Sequence, residues 1–308
     1  MNLTACVPRE VMTMKLRLTA TLVLCALLAA GGAARAQRPE AETLTPEERR
    51  EAGEFLLRLD ERWREARDFG ALFDDAFVGD FAEIARAEPL EIPFASLDKP
   101  LREQLTAAEW KRAHVAGLDF IYVAGRVSLA FELAQKNREA AKRAAAASRQ
   151  TAGVREPRPA DEEDAEPTPE EIFSPAVFEV FRGSPLLAEM FPEECDGGDE
   201  QCAGGDIEIK THEQLGELLS TLERATPKMR ARVRELEAEL GGAPVSAVSR
   251  EDEGEGEWPD LSLSAAEAES KNRPAGTRVV CGYVSLLQVC SVKEGGRYKV
   301  LAAYMLAD

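Results

Sequence analysis

The C-terminal run Thr277-Arg-Val-Val-Cys-Gly-Tyr-Val-Ser-Leu-Leu-Gln-Val-Cys-Ser-Val-Lys293 decides the fold. Val279 to Val292 is rich in β-branched and apolar residues, Glu294-Gly-Gly296 is a turn signal, and Tyr298 to Leu306 reads as a further strand. One straight strand over 277–293 would far exceed the usual length of about 5–6 residues. It would also hold Cys281 and Cys290 roughly 30 Å apart at about 3.3 Å per residue, well beyond disulfide reach. A bend near Ser285-Leu286 shortens the strand and sets the two cysteines opposite each other. The three-strand reading and the Cys281–Cys290 pairing therefore stand together.

A sheet this small is marginal by itself, so it must pack on something, and the rest of the chain supplies helices. Thr45-Pro-Glu-Glu48 is a capping box with proline at the first helical position. Phe55, Leu56, Leu59 and Trp63 follow it at helical spacing, to about Arg67. Asp68-Phe-Gly70 reads as a break, and 71–87 as a second helix with Phe73, Phe77, Phe81 and Ile84 on its apolar side. Pro89, Pro93 and Pro100 mark a loop. Thr106-Ala-Ala-Glu109 opens a long helix from 107 to about 148, in which Gly117 and Gly125 suit close packing and the part from Lys136 onward projects into solvent. Thr168-Pro-Glu-Glu171 opens short helices divided at Gly183 and Pro185. Ile207 and Ile209 suit a short strand, and Thr211 starts another helix. Leu215 to Leu240 then forms a heptad-like seam, read as an internal packing face. Thr226-Pro227 reads there as a new cap, hence a hairpin or a kinked pair. The fold class is α+β, with helix-rich N-terminal and middle regions and a small antiparallel C-terminal sheet packed on helices.

The N-terminus carries an address. Met14-Lys-Leu-Arg17, the apolar run 18–30 and Ala34-Arg-Ala36 have the form of a signal peptide cleaved before Gln37, with initiation at Met14 giving a leader of normal form. The organisation that follows is a signal peptide over 1–36, a flexible tail over 37–44 and a helical region over 45–149. An acidic proline-rich linker covers 150–169, a helical middle region with an acidic cysteine loop covers 170–248, a second acidic linker covers 249–276, and the strands occupy 277–308. No later segment reads as a membrane span. The net charge is −18, and removing residues 1–36, which carry Arg9, Lys15, Arg17, Arg35 and Glu10, takes it to about −21. So acidic a chain disfavours nucleic acid, whose phosphates require Lys and Arg.

Cys195, Cys202, Cys281 and Cys290 remain after the leader, an even count that reads as disulfides in an oxidising compartment. Three pairings are open, and the short loops favour Cys195–Cys202 and Cys281–Cys290. Their spacings are not those of structural zinc. Asp196, Asp199 and Asp206 are the candidate Ca²⁺ ligands, set in a loop that lacks the EF-hand pattern. His114 is the candidate general base, and Asp75, inside an aromatic-rich helix, is the candidate catalytic carboxylate. His212-Glu213 begins a zincin pattern, but Gly216 stands where its second histidine belongs. No P-loop, Rossmann glycine pattern or nucleophile elbow is present, and no cofactor is implied.

These readings give an exported soluble protein, periplasmic or extracellular, expected to act without catalysis as a binding or envelope-associated component with a protein partner. The second reading is a small-ligand pocket or enzyme whose site lies between the helices and the C-terminal sheet.

Overall fold

Four threonines set the frame. In the computed structural model, Thr45, Thr106, Thr168 and Thr211 each accept from a backbone N–H three residues on. Glu48, Glu109, Glu171 and Gln214 reach back to the threonine N–H at 2.7–3.2 Å. Such boxes satisfy N–H groups that a helix start otherwise leaves bare. The structure describes residues 45–79, 92–151, 167–191, 206–242, 244–246, 261, 266 and 278–305. The predicted leader and tail, Phe81 and Ile84, Cys195, Cys202, Asp196 and Asp199, and most of both acidic linkers lie outside them.

The helices are α1 (Pro46–Glu65), α2 (Phe69–Ala76), α3 (Lys99–Gln104), α4 (Ala107–Thr151), α5 (Pro169–Phe173), α6 (Pro175–Arg182) and α7 (His212–Glu239). The strands are β1 (Ala95–Leu97), β2 (Ile207–Ile209), β3 (Val279–Val284), β4 (Leu287–Glu294) and β5 (Arg297–Met305). This is the α+β architecture expected. The C-terminal strands form an antiparallel meander in the order β3-β4-β5, turned at Ser285-Leu286, where Ser285 has φ 58°. Cys281 and Cys290 are register partners joined by a disulfide.

The hairpin turn is what docks the sheet on the helices. Ser285 Oγ donates to the Tyr122 carbonyl of α4 at 2.8 Å. A Cβ at Gly125 would collide with Ser285 Oγ and lie 2.6 Å from Leu286 Cγ. Glycine is therefore required there for helix and turn to touch. Leu56, Trp63, Tyr122, Val284 and Leu287 are all buried within one continuous core.

Three expectations are corrected. The second helix stops at Ala76 rather than near 87. Phe77 leaves it to bridge Val300, and Val78 N–H donates to the Val300 carbonyl at 2.9 Å, so the segment flanks β5. The predicted loop between Pro89 and Pro100 contains β1, which pairs with β2 in parallel from Ala95↔Ile207 to Leu97↔Ile209. Finally, Pro227 does not divide α7. Pro227 and Glu223, whose carbonyl the proline cannot serve, both lie on the exposed side of the helix, while Thr226 Oγ1 donates back to the Leu222 carbonyl at 2.8 Å rather than capping a new helix.

The heptad seam of α7 packs along α4. Three ion pairs cross between them at seven-residue steps, Arg112–Glu223, Asp119–Arg230 and Arg126–Glu237. Both members advance together, so the two helices run parallel, as do β1 and β2 before them. By length and composition 107–145 would also suffice to cross a bilayer, contrary to the sequence reading. In the fold that stretch is a core helix, largely buried against protein, with the guanidinium of Arg126 in its middle.

Candidate functional site

Among the described residues, the ones singled out as chemistry, His114, Asp75 and Asp206, lie on separate elements and do not form one cluster. His114 lies one turn after Trp110 on α4, with its ring 5.8 Å from the indole. It is buried, and burial lowers its pKa to about 4. Asp119 does not orient it, because that carboxylate accepts from Trp63 Nε1 at 2.9 Å and from Arg230. Asp75 sits on the surface of α2, paired with Arg62 at 2.6 Å, and that hydrogen bond holds its carboxyl below the usual range. Asp206 is an exposed residue just before β2. Among the described residues, no three His, Cys, Asp or Glu side chains are placed to share a metal ion. His212 is the first residue of α7, and its Nδ1 lies 2.6 Å from Glu109 Oε1. Glu109 is drawn down to about 2, chiefly by the Thr106 N–H it caps and less by His212.

The buried histidine has a thermodynamic signature. The unfolded chain takes up a proton at His114 below about pH 6.5, whereas the folded chain does so only near pH 4. Unfolding is therefore accompanied by proton uptake in that window. Stability is full above pH 6.5 and falls as pH drops toward 4, by about 3 kcal/mol at 1.36 kcal/mol per unit. Urea denaturation at pH 7 and pH 4.5 should resolve this loss, and His114→Phe should flatten it. An unchanged slope in that variant would place the dependence elsewhere.

Two charge clusters that the sequence reading missed hold the helices together. In the first, Arg230 of α7 donates to Asp119 and to the Trp63 and Arg64 carbonyls, at 3.0 and 3.3 Å, where α1 ends. A cation there suits the negative end of the helix dipole. Burial, the largest influence, pushes the Asp119 carboxyl up, and Arg230 and the indole N–H pull it back.

The second cluster is more enclosed. Tyr122 OH donates to Asp60 Oδ1 at 2.8 Å, Arg126 Nη1 lies 3.3 Å from the same oxygen, and Arg126 Nη2 donates to Glu237 Oε1 at 2.7 Å. Burial, together with the Asp60 charge, drives the Tyr122 phenol upward, so it stays a neutral donor. The signal for both clusters was in the sequence as opposite charges at a common seven-residue spacing on two helices. It needed the partner helix to be read.

A large opening lies elsewhere, at the outer half of α4. It is a cleft of about 970 Å³ between α4, α5, the start of α6 and α7, with Phe131, Arg138, Lys142, Arg143, Glu170 and Arg232 among its walls. Beyond Ala134, α4 carries no buried side chain among those described. Arg138 pairs with Glu239 of α7, Arg143 pairs with Glu139 on its own helix, and Arg232 donates to the Glu171 and Ile172 carbonyls at 2.8 and 3.2 Å. The walls carry both signs of charge, with Phe131, Pro167 and Pro175 as their apolar members.

Comparisons of the chain with protein families, with curated proteins and with solved structures found no match.

Proposed function

We propose that this chain is a non-catalytic binding component of an exported, oxidising compartment, and that a protein partner engages the cleft at the outer half of α4. The observation that carries the reading is that cleft, about 970 Å³, bounded by a helix that runs out from the core into solvent. An unpacked helix of this length is marginal in water, and a partner seated against it would supply the missing burial. The Cys281–Cys290 disulfide and the signal-peptide pattern at Ala34-Arg-Ala36 support the compartment. The sealed position of His114 and the surface ion pair of Asp75 support a role without acid–base catalysis.

Photocrosslinking in fractionated native cells tests this. A benzophenone amino acid in place of Lys142 should give one discrete adduct in the extracytoplasmic fraction, and the same probe in place of exposed Arg58 on α1 should give none. Equal adducts from both positions, or none from either, would remove the cleft as an interface.

A further inference from the structure

Gly241 and Gly242 reverse the chain at the end of α7, with φ of 90° and 81°, a region that favours glycine. The reversal returns residues 244–246 to the last turn of that helix. There one peptide unit is held from both ends. The Val245 N–H donates to Glu237 Oε1 at 3.1 Å, and the Val245 carbonyl accepts from Arg126 Nη2 at 2.5 Å. The same guanidinium nitrogen donates to the same carboxylate oxygen at 2.7 Å, so donor and acceptor are fixed relative to each other. Asp60 and Tyr122 back the guanidinium from the core side. The Val245 side chain is only half-buried, and Arg126 and Glu237 hold that residue by its main chain. Pairing one N–H and one C=O of the same residue is how extended peptides are captured at sheet edges, whatever their sequence. Here a charged pair offers that donor and acceptor at the end of a helix.

We propose that Arg126 and Glu237 form a main-chain clamp for an extended peptide segment of a partner protein, and that residues 244–246 occupy it in cis as a strap hinged at Gly241 and Gly242. None of the clamp residues lines the cleft described above, so the two assignments fail independently. A site filled in cis binds an outside peptide with apparent affinity reduced by the fraction of molecules in which it is open.

Val245→Pro removes the N–H that Glu237 accepts and leaves both clamp side chains in place. The probe is a fluorescent peptide of residues 241–247, acetyl-Gly-Gly-Ala-Pro-Val-Ser-Ala-amide, with a control in which its valine is proline. The probe should bind the Val245→Pro protein at least about tenfold more tightly than wild type, and the control should not bind. A folded variant that binds neither peptide, binds both equally, or dimerises without binding the probe overturns the clamp. Should that variant fail to fold, the Val245 amide of the wild-type protein gives the reading. Its hydrogen exchange should accelerate in excess probe and not in excess control, and an unchanged rate overturns the proposal.

Discussion

Arg126→Met is expected to lower the stability of this protein by about 3–5 kcal/mol, the cost of leaving buried charge without its partner. Methionine keeps most of the length and apolar contact of arginine, so the effect isolates the guanidinium. Only 4% of the Arg126 side chain is exposed, as is 4% of Asp60 and 12% of Glu237. Without the guanidinium, Asp60 keeps the hydrogen bond from the Tyr122 hydroxyl and Glu237 that from the Val245 N–H, and neither of those donors carries a charge. A domain held by about 5–15 kcal/mol would lose a large share of its margin. Urea denaturation should show a lower midpoint with an unchanged slope. Arg112→Met is the matched control, because both partners of Arg112–Glu223 are 45% exposed, and an exposed pair contributes at most about 1 kcal/mol. Equal losses in the two variants would refute the assignment of burial as the cause.

The three rungs differ in depth, but they share a consequence for register. Exposure falls from 45% at Arg112 through 16% at Arg230 to 4% at Arg126. A slip of one heptad would set Arg112 against Arg230 and Asp119 against Glu237. A slip the other way would set Asp119 against Glu223 and Arg126 against Arg230. Either error brings like charges together where water is scarce, which penalises the wrong alignment more than the right one is rewarded. The parallel pairing of β1 with β2, continued by Asp98 N–H donating to the Ile209 carbonyl at 2.9 Å, fixes the same alignment at the other end.

The legible parts of this fold were those set by neighbours in sequence. Thr45, Thr106, Thr168 and Thr211 read as helix starts because a capping box needs only four residues. The β3–β4 turn at Ser285-Leu286 was legible because strand length and the Cys281–Cys290 spacing both demanded it. What sequence reasoning misplaced depends on distant chain. Phe73 to Phe77 keeps helical spacing, yet the chain turns extended at Phe77, where the edge of β5 bridges it at Val300 and the Val300 carbonyl accepts from the Val78 N–H. Pro227 is a strong local break signal, overridden because it falls on the solvent face while Ala225, Thr226 and Met229 are buried. The candidate site follows the same division. His114 was legible as a titratable side chain, and its burial on α4 follows from packing by distant chain. Arg126 and Arg230 were present only as charges seven residues from Asp119 and Glu237, and that spacing gains meaning once the carboxylate partner on the other helix is known.

Trp63→Ala is expected to cost about 3–5 kcal/mol, the range for truncating a buried aromatic, and the variant is a test of how α1 is tied to the rest. The Trp63 indole is fully buried, stacked between Phe69 and Tyr122 at centroid distances of 4.5 and 4.4 Å. It fills the space where α1, the start of α2 and α4 meet. Its Nε1 donates to Asp119, so truncation opens a cavity and also takes a donor from a carboxylate that burial already disfavours as an anion. Trp63→Phe separates the two effects. Phenylalanine retains much of the stacking surface and loses the N–H, so its cost should approach the 1–3 kcal/mol typical of an unmade hydrogen bond in the interior. Asp119→Ala tests the partner, because it removes both the acceptor of the indole N–H and the charge that Arg230 faces. If the indole acts through that hydrogen bond, Trp63→Phe and Asp119→Ala should be non-additive in a double-mutant cycle. Strict additivity would mean that Trp63 stabilises the protein by packing alone.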